Sequence, residues 1–459
     1  MTSLSPSIFR AYDIRGIVDE TLTGETVFLI GRAFASMLRE RGDKQIVIAR
    51  DGRLSGPLLM KALTEGILST GCDVIDIGMV PTPLLYYAAH ILNQHAGVML
   101  TGSHNPTNYN GLKMVVNGAP LTEVEIQDLY LRIIEKRFHD GQGVRNEIDV
   151  ATRYIQHVSQ NVQLMRPLKI VIDAGNGVTG KIAPALFKAL GCEVHELFCE
   201  IDGNFPNHHP DPSDSSNLKE LARCVVAEQA DVGLAFDGDG DRLGVVTSSG
   251  EIIGADRLLM LYAQGVLTDC PNATIIYDVK CTNNLANVIR AAGGKPLMWK
   301  TGHSLIKAKM AEIDAQLGGE MSGHFIFKDR WYAFDDALYA GARLLEQLSE
   351  CYEDSCEVFS TIPTSINTPE LKVQVDDEHK FAVMQKLIDG AKFNEATDVV
   401  TIDGLRVNFA EGWGLVRPSN TTPYLVLRFE AVNELVLKKI QLLFREWMLS
   451  VHPELELPF

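Results

Sequence analysis

The sequence predicts an α/β chain: three similar mixed α/β domains followed by a C-terminal α+β domain. Two observations carry that expectation. The first is a unit that occurs three times. KQIVIARDGRLSG (44–56) leads through an amphipathic stretch to TGCDVIDIG (70–78). LKIVIDAGNGVTG (168–180) leads to LGCEVHELF (190–198), and ATIIYDVKCTNNL (273–285) leads to AGGKPLMW (292–299). Each copy reads as an apolar strand, a polar loop opening with Asp, a helix, a Gly and a second strand. That is a βαβ unit, with the near-continuous apolar strands of a buried parallel or mixed sheet. Three copies imply three similar domains rather than one large sheet. The second observation is that Leu371 to Phe459 holds strands and helices with a Pro-rich loop at 417–423 but no copy of the unit. At roughly 150 residues per domain, 459 residues hold about three domains, with room for four. The expected division is 1–148, 149–251, 252–365 and 366–459, with a hinge or linker over 352–366 around Thr361, Pro363 and Thr364.

Composition narrows the function classes. Apolar residues make up 46% and charged residues 22%, the balance of a globular protein with packed cores. A net charge of -17 argues against non-specific binding to nucleic acid or an anionic membrane. None of the eight cysteines falls in a Cys-x-x-Cys pair, so free thiols in a reducing compartment are expected. The N-terminus MTSLSPSIFR lacks a basic region followed by an apolar one, and no run approaches the ~20 apolar residues of a membrane span. The expected location is the cytoplasm.

Four loops carry chemistry. TGSHNP (101–106) follows the apolar run AGVML, so Ser103 sits just past a strand end. Alone, Ser-His-Asn-Pro is better explained by a polar turn in which Ser and Asn bond their own backbone. It does not fit the G-x-S-x-G elbow, because His104 and Asn105 follow the serine. Lys113 lies close downstream and can bring positive charge. DGDGDR (237–242) joins two apolar strands, and its glycines let Asp237, Asp239 and Asp241 converge. Converged carboxylates repel one another unless a divalent cation sits among them, and oxygen-only ligands select Mg²⁺, Mn²⁺ or Ca²⁺. An EF-hand is excluded, since Arg242 and Ser248 stand where its Gly and Glu would be. Three protein ligands leave positions for a phosphate oxygen, which points to phosphoryl transfer.

In GGEMSGH (318–324), Glu320, Ser322 and His324 alternate, so an extended loop would present them on one side, suited to vicinal sugar hydroxyls. As an isolated pattern it is an ordinary loop. RPSNTTP (417–423) gathers Arg417, Ser419, Asn420, Thr421 and Thr422, neutral donors around one guanidinium that can hold a phosphate dianion. Arg15, Lys113, Arg242, Lys280 and Arg417, with His104, His303 and His324, would form a local positive field inside an acidic protein if these loops met.

IFRAYDIRG, TGSHNP, DGDGDR, GEMSGH and RPSNTTPYLVLRFE occur in that order along the chain. Together they closely resemble the α-D-phosphohexomutase superfamily and, within it, the bacterial phosphomannomutase/phosphoglucomutase group. The resemblance implies four domains around a central cleft. It implies that Ser103 carries a phosphoryl group and that Asp237, Asp239 and Asp241 bind Mg²⁺, completed by the phosphoserine oxygen. His104, Lys113, Tyr12 and Arg15 match active-site residues beside the phosphoserine. Arg242 and Lys280 match residues near the reacting hydroxyl, with Lys280 also binding substrate. His303 matches a residue that positions the sugar phosphate. Glu320 and Ser322 match the pair on the sugar 3- and 4-hydroxyls, with His324 beside them, and Arg417, Ser419, Asn420 and Thr421 match the loop on the substrate's own phosphate.

The implied activity interconverts hexose 1- and 6-phosphates of mannose and glucose through a hexose 1,6-bisphosphate, with glucose 1,6-bisphosphate or mannose 1,6-bisphosphate as activator. The expected partners are small-molecule sugar phosphates on a monomer. The nearest rival is a phosphoglucosamine mutase, whose sugar loop usually has Gln where this chain has Met321. A Mg²⁺-dependent sugar phosphatase is less favoured, because it needs no second phosphate site, and a non-catalytic sensor is disfavoured by the intact Ser103 and aspartates.

Overall fold

The architecture comes from a computed structural model that describes residues 4–10, 12–92, 96–376, 379–419 and 422–459. The chain forms two compact units, one of residues 1–258 with 322–361 and the other of 259–321 with 362–459.

The first unit holds two sheets. A seven-stranded sheet runs in the order Ile14–Ile17, Tyr109–Val116, Ala96–Leu100, Gln45–Arg50, Asp73–Met79, Arg145–Glu147, with Ala119–Pro120 paired to Tyr109–Val116. Gln45–Arg50 is parallel to Asp73–Met79 and to Ala96–Leu100, while Tyr109–Val116 runs antiparallel. A five-stranded sheet runs Ile252–Ile253, Leu243–Thr247, Val232–Phe236, Lys169–Asp173, Glu193–Leu197. The central strands Ala96–Leu100, Val232–Phe236 and Leu243–Thr247 are buried at every residue, as a covered sheet requires. Helix Gly24–Glu40 is N-capped by the Thr23 side chain, which accepts from Thr26 N–H, and packs its apolar stripe of Val27, Ile30 and Phe34 into the core with Ile46, Ile48 and Val98.

The second unit contains the third βαβ copy, with Thr274–Asp278 parallel to both Lys295–Trp299 and Leu317–Gly319. It also contains a six-stranded sheet built on antiparallel Leu405–Phe409, Gly412–Pro418 and Tyr424–Ala431. Helix Glu434–Val451 covers that sheet through Ile440, Phe444 and Met448.

In all three copies the strand after the helix is parallel to the strand before it. The loop is shaped the same way each time. Oδ1 of Asp51, Asp173 and Asp278 accepts the N–H two residues on, from Arg53 at 3.1 Å, Gly175 at 2.8 Å and Lys280 at 3.0 Å. This is the turn an aspartate makes with its own backbone.

The stretch 352–366, expected as hinge or linker, contains the passage from one unit to the other, between Thr361 and Ile362, preceded by helix Ser355–Ser360 with a capping box between Asp354 and Glu357. One expectation needs correction. Arg417, expected in a loop, is the penultimate residue of strand Gly412–Pro418 and pairs with Val426. All eight cysteines are free, three buried and five half-buried. Among the described residues no helix is long and apolar enough to cross a membrane.

Candidate active site

In the first unit, Ser103 lies three residues past strand Ala96–Leu100, buried, with φ +49. A left-handed conformation costs a residue with a Cβ on the order of 1–3 kcal/mol, so surrounding bonds must hold it. Ser103 N–H donates to Thr101 Oγ1 at 2.8 Å. The larger restraint is Arg53, which motif reasoning did not single out. Its Nη2 donates to the carbonyls of Ser103 (2.8 Å) and Asn105 (2.6 Å), and its Nη1 to those of Pro106 (2.6 Å) and Tyr109 (2.9 Å). One buried guanidinium thus gathers four carbonyls of the serine loop, and Asp51 Oδ2 balances its charge at 3.2 Å from Nε. Asp51-x-Arg53 was the only sequence trace of this clamp.

DGDGDR joins antiparallel strands Val232–Phe236 and Leu243–Thr247. Asp237, Asp239 and Asp241 have no solvent exposure, and oxygens of all three lie within 4.8 Å of one another. Asp237 Oδ1 accepts the N–H groups of Gly240, Asp241 and Arg242 at 2.9, 3.0 and 3.2 Å. That leaves Oδ2 facing Ser103 Oγ, which donates to it at 3.0 Å. The glycines are required by space: a Cβ on Gly238 would collide with the Ser103 carbonyl, and Gly240 has φ +78. Asp239 Oδ2 accepts from Thr82 Oγ1 (2.6 Å) and Lys113 Nζ (2.7 Å), and Lys113 also pairs with Asp241. Asp239 Oδ1 is buried and accepts no hydrogen bond among the described residues.

Burial, then the charges of Asp241 and Asp239, pushes the Asp237 carboxyl well above the usual carboxylate range. Burial opposes charge on Lys113, but Asp239 and Asp241 outweigh it and raise the ammonium's pKa well above its ordinary value. Crowded buried carboxylates, one with an unsatisfied oxygen and one against a serine hydroxyl, form the oxygen-only donor set that suits a hard divalent cation.

Around this centre, His104 Nδ1 lies 3.1 Å from Ser103 Oγ. Burial, Arg242 and Arg15 push its imidazole well below the usual value, so it is neutral. Arg15 donates to Asn105 Oδ1 at 3.1 Å and pairs with Asp13 at 2.6 Å, tying the N-terminal strand to the serine loop. Tyr12 is half-buried, three residues before Arg15. His324 Nε2 lies 3.3 Å from Asp241 Oδ1 and 3.4 Å from Arg242 Nε, while its Nδ1 is 2.9 Å from Ser322 Oγ. Arg242 also faces Asp211 at 3.8 Å. The segment carrying Ser322 and His324 was expected to be extended. It is a turn, with Gly323 at φ +93.

The second unit holds the remaining residues. Lys280, in the third Asp loop, is buried and pairs with Glu370 at 2.7 Å, with Asp278 Oδ2 at 3.8 Å. Arg417 is buried, and its Nε donates to Asp403 Oδ2 at 2.9 Å. Its Nη2 is buried with no acceptor among the described residues, a guanidinium edge left for an anion. Asp403 Oδ2 also accepts Thr301 N–H at 2.9 Å, and Glu320 Oε1 accepts Gly302 N–H at 2.6 Å, so two carboxylates fix the segment that opens helix His303–Ile313. His303, half-buried, is the first residue of that helix. Ser419 is buried, and its Oγ accepts from Thr422 N–H and Oγ1. Asn420 and Thr421 lie outside the described residues. Asp403 and Glu370 escaped motif reasoning, because single carboxylates far along the chain carry no local pattern.

Comparison with known proteins finds relatives along the whole chain. Four family profiles fit in order: phosphoglucomutase/phosphomannomutase alpha/beta/alpha domain I at 6–140, domain II at 152–250, domain III at 254–364, and the C-terminal domain at 370–446. The chain is 54% identical over 457 residues to the phosphomannomutase/phosphoglucomutase of Pseudomonas aeruginosa, covering 100% of this chain and 98% of that one. It is 51% identical to the phosphoglucomutase of Neisseria gonorrhoeae, covering 97% of each. A crystal structure of a phosphoglucomutase/phosphomannomutase family protein from Burkholderia thailandensis matches with TM-score 0.95 and 52% identity, over 99% of this chain and 100% of that one. The chain belongs to the phosphoglucomutase/phosphomannomutase family of α-D-phosphohexomutases.

Proposed function

We propose that this protein is a phosphohexomutase that interconverts the 1- and 6-phosphates of mannose and glucose through a phosphoserine at Ser103. The observation that carries the serine assignment is the Ser103 hydroxyl, buried and bonded at 3.0 Å to a carboxylate of the aspartate cluster. Asp237, Asp239 and Asp241, with a phosphoserine oxygen, are the residues to hold Mg²⁺, which when bound supplies charge neutralisation at the transferring group.

The remaining chemistry belongs to the chain. Arg417, Ser419 and the loop after them grip the phosphate already on the sugar, while Glu320 and Ser322 read the 3- and 4-hydroxyls. The sugar's free hydroxyl attacks the phosphorus of phosphoserine. The new O–P bond forms as the Ser103 O–P bond breaks, the hydroxyl proton passes to a base, and the serine oxygen regains a proton. Neutral His104, 3.1 Å from Ser103 Oγ, is placed to exchange that proton. Arg15, Lys113 and Arg242 add positive charge where the phosphoryl group moves. The hexose 1,6-bisphosphate then turns around, and its original phosphate returns to Ser103. Contacts limited to phosphate and to two ring hydroxyls suit both orientations. Glucose or mannose 1,6-bisphosphate serves as activator when Ser103 is unphosphorylated. The same reading takes the protein as a cytoplasmic monomer with domain divisions near 148, 251 and 365.

The test is ³¹P NMR of the protein with Mg²⁺, a trace of glucose 1,6-bisphosphate and equal mannose, glucose and glucosamine 1-phosphates. Mannose and glucose should convert to 6-phosphates well ahead of glucosamine. Glucosamine converting first would make the protein a phosphoglucosamine mutase, and release of inorganic phosphate alone would make it a phosphatase.

A further inference from the structure

Lys280 and Arg417 share their surroundings with a carboxylate that neither the aspartate cluster nor the sugar loop explains. Glu370 is the residue before strand Leu371–Gln374, and its Oε1 lies 2.7 Å from Lys280 Nζ. The Lys280 side chain is 8% exposed, against 37% for Glu370, so the anion reaches a buried cation from the more open side. Two further cations act on the same carboxylate, Arg428 and Arg417. Arg428 is held there by donating to the Lys280 carbonyl at 2.6 Å. Lys280 foremost, then Arg428 and Arg417, holds the Glu370 carboxyl down at about 2, so it is charged at any working pH. The other carboxylates nearby are differently placed. Asp278 is fully buried and Asp403 half-buried, each accepting a backbone N–H. Glu370 is the most exposed of this group and has no backbone anchor among its described bonds.

We propose that Glu370 is an internal counter-anion of the phosphate-binding cluster, holding Lys280 when no phosphate is bound and competing with the substrate's phosphate for that charge. This rests on reading Lys280 and Arg417 as substrate-binding residues. A phosphate dianion entering beside Arg417 meets one unit of like charge already in place, and binding requires the carboxylate to swing toward solvent. Glu370 thereby weakens ground-state binding of the phosphate and eases its departure, which a bisphosphate that must let go and turn around requires.

Calorimetric titration of inorganic phosphate into the full-length protein tests this. Glu370→Gln, which keeps shape and removes charge, should bind phosphate about tenfold more tightly than the parent, as loss of one close like charge implies. Glu370→Asp, which keeps the charge, should stay within about twofold of the parent, and Arg417→Ala should lose binding in either background. Equal or weaker phosphate binding by Glu370→Gln overturns the proposal, as does undiminished binding by Arg417→Ala. A separate turnover assay of the parent with glucose 1-phosphate keeps the two readings apart. Absent turnover would sink the mutase assignment, while the titration would still decide the role of Glu370.

Discussion

The loops after strands Gln45–Arg50 and Thr274–Asp278 are two copies of one structure put to different use. In each, a buried aspartate turns the chain by accepting the N–H two residues on. They part at the second oxygen. Asp51 Oδ2 accepts from Thr101 Oγ1 (2.8 Å), Gly102 N–H (3.1 Å) and Arg53 Nε (3.2 Å), so it is saturated and lashed to the Ser103 loop. Asp278 Oδ2 accepts no hydrogen bond among the described residues and faces Lys280 Nζ at 3.8 Å. Burial pushes the Asp278 carboxyl above the usual range, against the pull of Lys280. The shared oxygen makes the fold. The other one in the first copy holds the serine loop in its left-handed conformation, and in the third it tunes the charge of a lysine.

The contrast breaks most readily at Arg53. Arg53→Ala removes the donor to four carbonyls and strands Asp51 as a buried charge, an effect of roughly 3–5 kcal/mol on stability. Turnover should fall by about a hundredfold as the Ser103 loop loses its geometry. Urea unfolding and steady-state kinetics measure both, and turnover within tenfold of the parent would remove the clamp from catalysis. Next comes Asp51→Asn, in which an amide group must face the donors of Arg53 and Thr101 or the N–H at the turn. About 2–3 kcal/mol of stability should be lost by the same unfolding measurement.

The equivalent substitution in the third copy sharpens the comparison. Asp278→Asn keeps an acceptor for the Lys280 N–H and removes a buried charge that little satisfies. Stability at pH 7 should change by less than about 1 kcal/mol, in either direction. A loss as large as that of Asp51→Asn would show that the two loops do not differ as described. The smallest effect concerns Glu370, whose carboxyl is held at about 2. A depressed carboxylate stabilises the fold above its unfolded value near 4.5, and that contribution fades as pH falls toward 2. The stability difference between parent and Glu370→Gln, followed by thermal melts, should therefore be largest above pH 5 and vanish near pH 2.

The same contrast explains what was legible in the sequence. The βαβ copies were, because apolar strands flanking an Asp turn repeat at the level of residue type. Ser103 and the three aspartates were, because they sit in contiguous motifs whose neighbours fit one chemistry. Arg53 was not, since its partners are carbonyl oxygens some fifty residues away, and a carbonyl has no sequence identity. Asp403 was hidden for a like reason: its bond to Arg417 spans fourteen residues and belongs to no motif. The alternation of Glu320, Ser322 and His324 suggested an extended segment, but Gly323 at φ +93 turns it. Helix Ser355–Ser360 was missed although Asp354 and Glu357 formed a capping box, because nearby Thr361, Pro363 and Thr364 read as a linker.

The central claim is that Ser103 carries the phosphoryl group. Its most direct test is mass spectrometry of the protein after incubation with Mg²⁺ and glucose 1,6-bisphosphate, with peptide mapping of the product. One phosphoryl group should appear on the peptide containing Ser103, be replaced by labelled phosphate when isotopically labelled glucose 1-phosphate is added and turned over, and be absent from Ser103→Ala. A phosphoryl group on another residue, or turnover by Ser103→Ala at the parent rate with no modified peptide, would contradict it.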